Sequence, residues 1–252
     1  MDLGIGGRRA VVVCASSGLG LAASEALGGE GVNLVMFARS IDRLQQAARS
    51  LAARHNVNVE PVGGDLTNRE DVGMLADHLR RTGGVDILVL NTPRPPSPMR
   101  DFLAETEDAR WSDAYTNQLH GALNVLREIP PILVERGWGR VVAITSASVK
   151  QPMPRHAISS IFRAGVHAAL KHLANEVAAH GVTVNSVAPA TIVTPAFATY
   201  HDLSARIQAV PVRRAGTPEE LGAVVAFLAS EKAGFITGQT VQLDGGMTAS
   251  LL

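Results

Sequence analysis

The chain has 252 residues, 46% hydrophobic and 18% charged, which supplies apolar surface for a real core and argues against disorder. Its 23 Lys and Arg balance 23 Asp and Glu, which removes the basic field of a nucleic-acid binder and the polybasic stretch of a membrane-surface protein. One cysteine, Cys14, forbids an intrachain disulfide, and with no signal-peptide pattern and no run of about 18 apolar residues a soluble, cytoplasmic protein is expected.

Two patterns alternate along the chain. Ala10 to Val13 is a short apolar run that reads as a strand buried on both faces. Leu19, Ala22, Ala23, Ala26 and Leu27 then fall on one helical stripe, stopped by Gly28, Gly29 and Gly31. Val32 to Phe37 is the next strand, and Leu44, Ala47, Ala48 and Leu51 mark the next helix. Thr67 to Glu70 is a capping box ahead of the stripe Val72, Leu75, Ala76, Leu79, and Ile87 to Leu90 follows as a strand. A helix is expected from about Glu107 to Glu135, kinked at Pro130-Pro131. Arg140 to Thr145 is a strand, Ser159 to His180 a helix, and Val182 to Val187 a strand. Thr217 opens a helix with Pro218 at its first position, and Val241 to Leu243 ends the series. Strands alternating with helices predict one parallel sheet covered on both faces, in a single domain.

Cys14-Ala15-Ser16-Ser17-Gly18-Leu19-Gly20 joins the first strand to the first helix. In a doubly wound sheet this turn is where backbone N–H groups and a helix N-terminus meet a pyrophosphate. Gly18 and Gly20 permit close approach, and Ser16 and Ser17 add hydroxyl donors. After the second strand, where a carboxylate would hold a ribose 2′-hydroxyl, the chain has Arg39 and Ser40 instead. That pair suits a 2′-phosphate and favours NADP(H) over NAD(H).

From here the chain resembles the short-chain dehydrogenase/reductase family nearly end to end. The family's TGxxxGxG loop corresponds to Val13 through Gly20, and its adenine-holding position to Asp65-Leu66. Its NNAG segment corresponds to Leu90-Asn91-Thr92-Pro93, its helical Asn to Asn117 behind Trp111, and its strand-end Ser to Ser146. Pro189 through Thr194 corresponds to PGxIxT, which puts Ile192 and Thr194 beside the nicotinamide. Arg214 through Glu220, Phe227 through Ser230 and Asp244-Gly245-Gly246 are most similar to the 3-oxoacyl-(acyl-carrier-protein) reductase branch. The resemblance implies a Rossmann-type α/β fold with strand order 3-2-1-4-5-6-7. It also implies a nucleotide-binding part over about 1–95, a catalytic part over about 96–252 with a lid near 192–212, and a homodimer or homotetramer acting on a small carbonyl or alcohol.

The chemistry departs from the family. The Tyr of the family's Tyr-x-x-x-Lys pair donates the proton, but Tyr115 and Tyr200 are the only tyrosines, followed four positions on by Leu119 and Ser204. Anchoring on Leu173-Ala174-Asn175-Glu176, which resembles the family's LAxE, puts Ser159 at the Tyr position and Arg163 at the Lys position. A serine hydroxyl is a far weaker acid than a phenol of pKa about 10, whereas an arginine keeps the fixed charge and can hold ribose hydroxyls. His156, three residues before Ser159, is the nearby residue whose ordinary pKa suits acid catalysis. Tyr200, in the lid, is a second candidate donor, while His120 and His167 read as packing or surface residues. Ser146 and Ser159 also have bland readings as turn and helix caps. No spacing of His, Cys or acids suits a metal. The expected activity is NADPH-linked reduction of a ketone such as a 3-oxoacyl thioester. A non-redox lyase, dehydratase or epimerase on the same fold, or a nucleotide-binding protein without turnover, are the alternatives.

Overall fold

The computed structural model describes residues 1–194, 197 and 203–251. The short apolar runs form strands β1 (Arg9–Val13), β2 (Asn33–Ala38), β4 (Ile87–Leu90), β5 (Gly139–Ile144), β6 (Val182–Pro189) and β7 (Thr240–Leu243). The third strand, β3, is Val59–Gly63, at the sheet edge. All seven pair in parallel in the order β3-β2-β1-β4-β5-β6-β7, as the family resemblance implies.

Because side chains alternate along a strand, the sheet feeds two cores. Val11, Val35, Leu88, Val141 and Val184 pack with helices α3 (Arg69–Arg81), α5 (Gly121–Glu128) and α7 (Ala157–Val177). Val12, Met36, Val89, Val142 and Val187 pack with α1 (Gly18–Gly29), α2 (Ile41–His55) and α9 (Pro218–Leu228). Register makes each row continuous: Val12 lies between Met36 and Val89, which adjoins Val142. With both faces covered, one sheet makes one Rossmann-type domain. Winding reverses between β1 and β4, so the loops leaving those strands diverge and open a crevice at the strand C-termini.

The long helix expected from Glu107 to Glu135 is broken twice. Pro130, lacking an N–H, starts a new helix, α6 (Pro130–Glu135), at its first position. Earlier, α4 (Asp108–Ala114) runs into a π turn over Tyr115–His120 before α5. The cause is local: Asn117 Nδ2 donates to the Asp113 carbonyl at 3.0 Å, the acceptor a regular α-helix would offer to the Asn117 N–H. α7 begins at Ala157, two residues earlier than expected, so Ser159 lies inside its first turn and does not cap it. In the stretch expected as a lid, α8 covers Leu203–Ala209, while Tyr200 lies outside the described residues. Among the described residues no helix is long and apolar enough to cross a membrane, and no cluster of His, Cys, Asp or Glu is placed to hold a metal.

His167 is more than a packing residue. Its Nε2 lies 2.8 Å from Thr145 Oγ1, whose hydroxyl donates to the Val187 carbonyl at 3.2 Å, so Nε2 is the donor of that pair. Its Nδ1 faces Thr240 Oγ1 at 3.3 Å, and Thr240 meets Ser186 Oγ at 3.0 Å. The ring thereby ties α7 to β5, β6 and β7. Burial, with Arg163 and then Lys150 adding like charge, pushes its pKa from 6.5 to about 4. Between those values the unfolded chain binds a proton that the folded protein refuses, so stability falls as pH drops through that window. His167→Gln removes this term. The wild-type and variant free energies of urea unfolding should therefore converge as pH falls from 7 to 4, and a difference independent of pH would contradict the assignment.

Candidate active site

A continuous cleft of about 1180 Å³ runs along the C-terminal ends of the strands. Ser16, Ser17, Gly18 and Leu19 line one end, with Arg39, Ser40, Leu66 and Asn91 beside them. Ser146, His156, Ser159, Arg163, Ile192 and Thr194 line the other. Of the residues selected from sequence, Gly20, Asp65 and Asn117 do not line it.

At the first end, Gly18 has φ +59 and open space where a side chain would stand. A Cβ on Gly20 would overlap the Cys14 carbonyl oxygen, so Gly20 works by letting α1 press onto the end of β1. Ser17 is the N-cap of α1 but places no side-chain bond on its first N–H groups, which have no intrahelical acceptor. Such a turn fits a diphosphate. Cys14 itself has φ +55, a left-handed conformation costing an L-residue roughly 1–2 kcal/mol. Burial pushes its thiol up to about 12.

After β2, exposed Arg39 stands 3.7 Å from Asp65 Oδ2. Asp65 Oδ1 accepts from both the N–H and the hydroxyl of Thr67, at 2.9 Å each, so this acid braces the turn behind Arg39. Ser40, the N-cap of α2, makes no side-chain cap bond. Arg43 joins them in the cleft. It was absent from the sequence selection, although its place one helical turn beyond Arg39 puts it on the same face.

At the second end, Ser146 both lines the cleft and caps a short turn, its Oγ accepting from Ser148 N at 3.3 Å. Ser159 and Arg163 sit one turn apart on α7, 4% and 9% exposed. The Arg163 guanidinium donates to the carbonyls of Thr145 (3.2 Å) and Ile144 (3.4 Å), and no acid among the described residues pairs with it. Burial pushes its pKa down to about 10, which still leaves it charged near neutrality. His156 Nδ1 donates to the Pro154 carbonyl at 2.7 Å, leaving Nε2 as a bare lone pair. Burial holds the ring below the usual histidine range, with Arg206 and Arg155 acting in the same direction against the opposing Pro154 bond. His156 is therefore neutral at pH 7 and carries no acidic proton to give in its resting state.

Asn117 is held by Asp113, its amide donating to the Asp113 carbonyl and, at 2.7 Å, to Oδ1. Its neighbour Gln118 is fully buried, and neither amide atom has a protein hydrogen-bond partner. Buried polar groups of this kind are rare and mark a functional or water-bridged position. The π turn that brings Gln118 inward left no periodic trace in the sequence. Two loops frame the cleft mouth. Glu105 grips Arg110 at 2.7 and 2.9 Å, and Asp101 Oδ1 accepts the Arg155 N–H at 2.8 Å.

Residues 13–248 match the family model described as enoyl-(acyl carrier protein) reductase. The chain belongs to the short-chain dehydrogenase/reductase family. Nodulation protein G of Azospirillum brasilense is 34% identical, the alignment covering 94% of this chain and 97% of that protein. The 3-oxoacyl-(acyl-carrier-protein) reductase of Staphylococcus epidermidis is 30% identical over 95% and 98%. The crystal structure of L-sorbose reductase from Gluconobacter frateurii, complexed with NADPH and L-sorbose, superposes with a TM-score of 0.92 at 32% identity over the full length of both chains. The protein is thus an oxidoreductase of this family. Ser159 and Arg163 both lie on the cleft wall.

A thiol with a pKa near 12 is almost wholly protonated at pH 8. Cys14 in the folded enzyme should react with Ellman's reagent at least about 100-fold more slowly than an unperturbed cysteine of pKa about 8.5. Urea should restore the ordinary rate, and fast native labelling would contradict the raised pKa.

Proposed function

We propose that the protein catalyses NADPH-linked reduction of a small ketone, or the reverse oxidation, with 3-oxoacyl thioesters among the compounds to test. The observation carrying this reading is the single cleft that joins a diphosphate-shaped turn and a cationic ribose corner to the Ser146, Ser159 and Arg163 wall. The L-sorbose reductase structure, with NADPH bound, supports it at 32% identity. The first N–H groups of α1 and the Gly18 gap would hold the diphosphate. Arg39, Ser40 and Arg43 would hold a 2′-phosphate, Leu66 and Asn91 would flank the adenosine side, and Ile192 and Thr194 would border the nicotinamide. On this reading the part to about residue 95 holds most of the nucleotide, and the part beyond it carries the catalytic groups and the nicotinamide border.

The bound nucleotide supplies or takes the hydride. The chain's own groups manage oxygen and proton. The Ser146 and Ser159 hydroxyls hold the carbonyl oxygen, and Arg163 stabilises the negative charge that grows on it and steadies the ribose hydroxyls. Neither serine is acidic enough to supply the proton. His156 does so as a relay: neutral at rest, its Nε2 takes a proton from the alcohol during oxidation and, once protonated, returns one during reduction. The exposed Ile161 on α7 and Tyr115, each 45% exposed, support the association into a dimer or tetramer that the family resemblance implies.

Fluorescence titration should show NADPH binding more tightly than NADH. Arg39→Ala and Arg43→Ala should each weaken NADPH about tenfold, the scale of one charge-assisted hydrogen bond, and leave NADH nearly unchanged. Absence of any nucleotide binding would refute the cofactor assignment, and NADPH oxidation by none of a broad ketone panel would refute the reaction. With His156 below the usual range, kcat/KM for reduction should rise as pH falls below 6.5, whereas that for oxidation should level off by neutrality. His156→Ala should flatten both profiles, and an unaltered profile would remove His156 from the mechanism.

A further inference from the structure

Three arginines from three separate segments line the same cleft near its reacting end. Arg94 comes from the loop after β4, Arg155 from the turn before α7, and Arg206 from α8. Among the described residues no Asp or Glu lines the cleft. The acids of the framing loops are committed elsewhere: Asp101 to the Arg155 backbone, Glu105 to Arg110, and Glu107 to Arg100. Arg206 lies over the Phe197 ring at 5.6 Å, a contact with the guanidinium face that does not use its in-plane donors.

The cluster is tight enough for its members to feel one another. Arg94 and Arg155 both depress Arg206, beneath the larger effect of burial, and Arg155 and Arg206 both act on His156. Arg155 also has φ +59, where glycine or asparagine would rest without strain. Like charge is thus gathered at one place, a repulsion that a bound anion relieves. Because His156 shares this cluster and sits three residues before Ser159, the anion would lie close to the reacting carbon.

We infer that Arg94, Arg155 and Arg206 form a subsite for an oxyanion, carboxylate or phosphate, carried by a short substrate such as a keto acid or a keto-sugar phosphate. The inference rests on the oxidoreductase reading in one respect only, that the anion belongs to the carbonyl substrate.

The test uses matched pairs: 4-oxopentanoate with its methyl ester, and dihydroxyacetone phosphate with dihydroxyacetone. Each is titrated calorimetrically into the protein saturated with NADP+, so that the Arg39 corner is already filled. At least one anion should bind about ten- to hundredfold more tightly than its neutral twin, the scale of charge-assisted hydrogen bonds. The Arg155→Ala/Arg206→Ala double variant should lose that preference, with folding checked by circular dichroism, and Arg206→Lys should retain part of it. Equal affinity within both pairs, no binding of either anion, or a preference that survives the double variant overturns the subsite. NADPH oxidation by the same ketones is read separately. Preferential anion binding without oxidation leaves the subsite standing and removes the reductase reading, whereas reduction of the neutral ketones without anion preference does the reverse.

Discussion

Everything at the functional end of this molecule depends on how closely α1 can approach the end of β1. The contact is between Gly20 and the carbonyl of Cys14, and it leaves no room for even one carbon atom. It sets the free N–H groups of a helix at the point where the sheet's winding reverses, the place where α/β proteins gain a cleft without cutting into their core. The turn that makes this approach is left-handed at both Cys14 and Gly18. Glycine adopts that shape without cost; cysteine does not, and the surrounding strands hold it there. The strain is local and small beside the burial of Val11, Val12 and Val13, none of which is solvent-exposed.

At the opposite end, the governing fact is the way Arg163 is held. A buried guanidinium normally has a carboxylate beside it, because an unpaired charge in a low-dielectric site is costly. Here two backbone carbonyls at the end of β5 orient it, and they carry no formal charge. The positive field of the residue therefore remains directed into the cleft instead of being cancelled. A phenol–ammonium pair couples charge stabilisation and proton supply in neighbouring groups; on the proposed reading, Ser159 and Arg163 retain only the first. In the proposed reaction, proton traffic uses another group, and the neutral His156 lines the same cleft.

Much of the fold was legible because it rests on patterns that survive in one dimension. Buried parallel strands are short β-branched runs, and helices beside them show apolar stripes, so a parallel sheet covered on both faces followed, while the strand order came from the family resemblance. The turn after β1 was legible as a glycine pattern, and the placing of Ser159 and Arg163 one helical turn apart on the cleft wall as a spacing. What escaped had no periodic signature. The π turn arises from one side chain, Asn117, taking over a backbone acceptor: Asn117 stays outside the cleft, and its neighbour Gln118 is buried. The tautomer of His156 depends on the Pro154 carbonyl, and its neutrality on burial, with smaller effects from adjacent Arg155 and from Arg206 on α8. His167 was read as a bland residue because its partners come from three different strands or their ends.

The bond from the Arg155 backbone to Asp101 joins the loop that follows β4 to the one that follows β5. Such segments usually diverge independently, since each hangs from its own strand and tolerates insertion. Here they are laced together across the mouth, so lengthening either one displaces the other. New substrate preferences in this lineage would then arise more readily from α8, which stands outside that lacing, than from the two tethered loops.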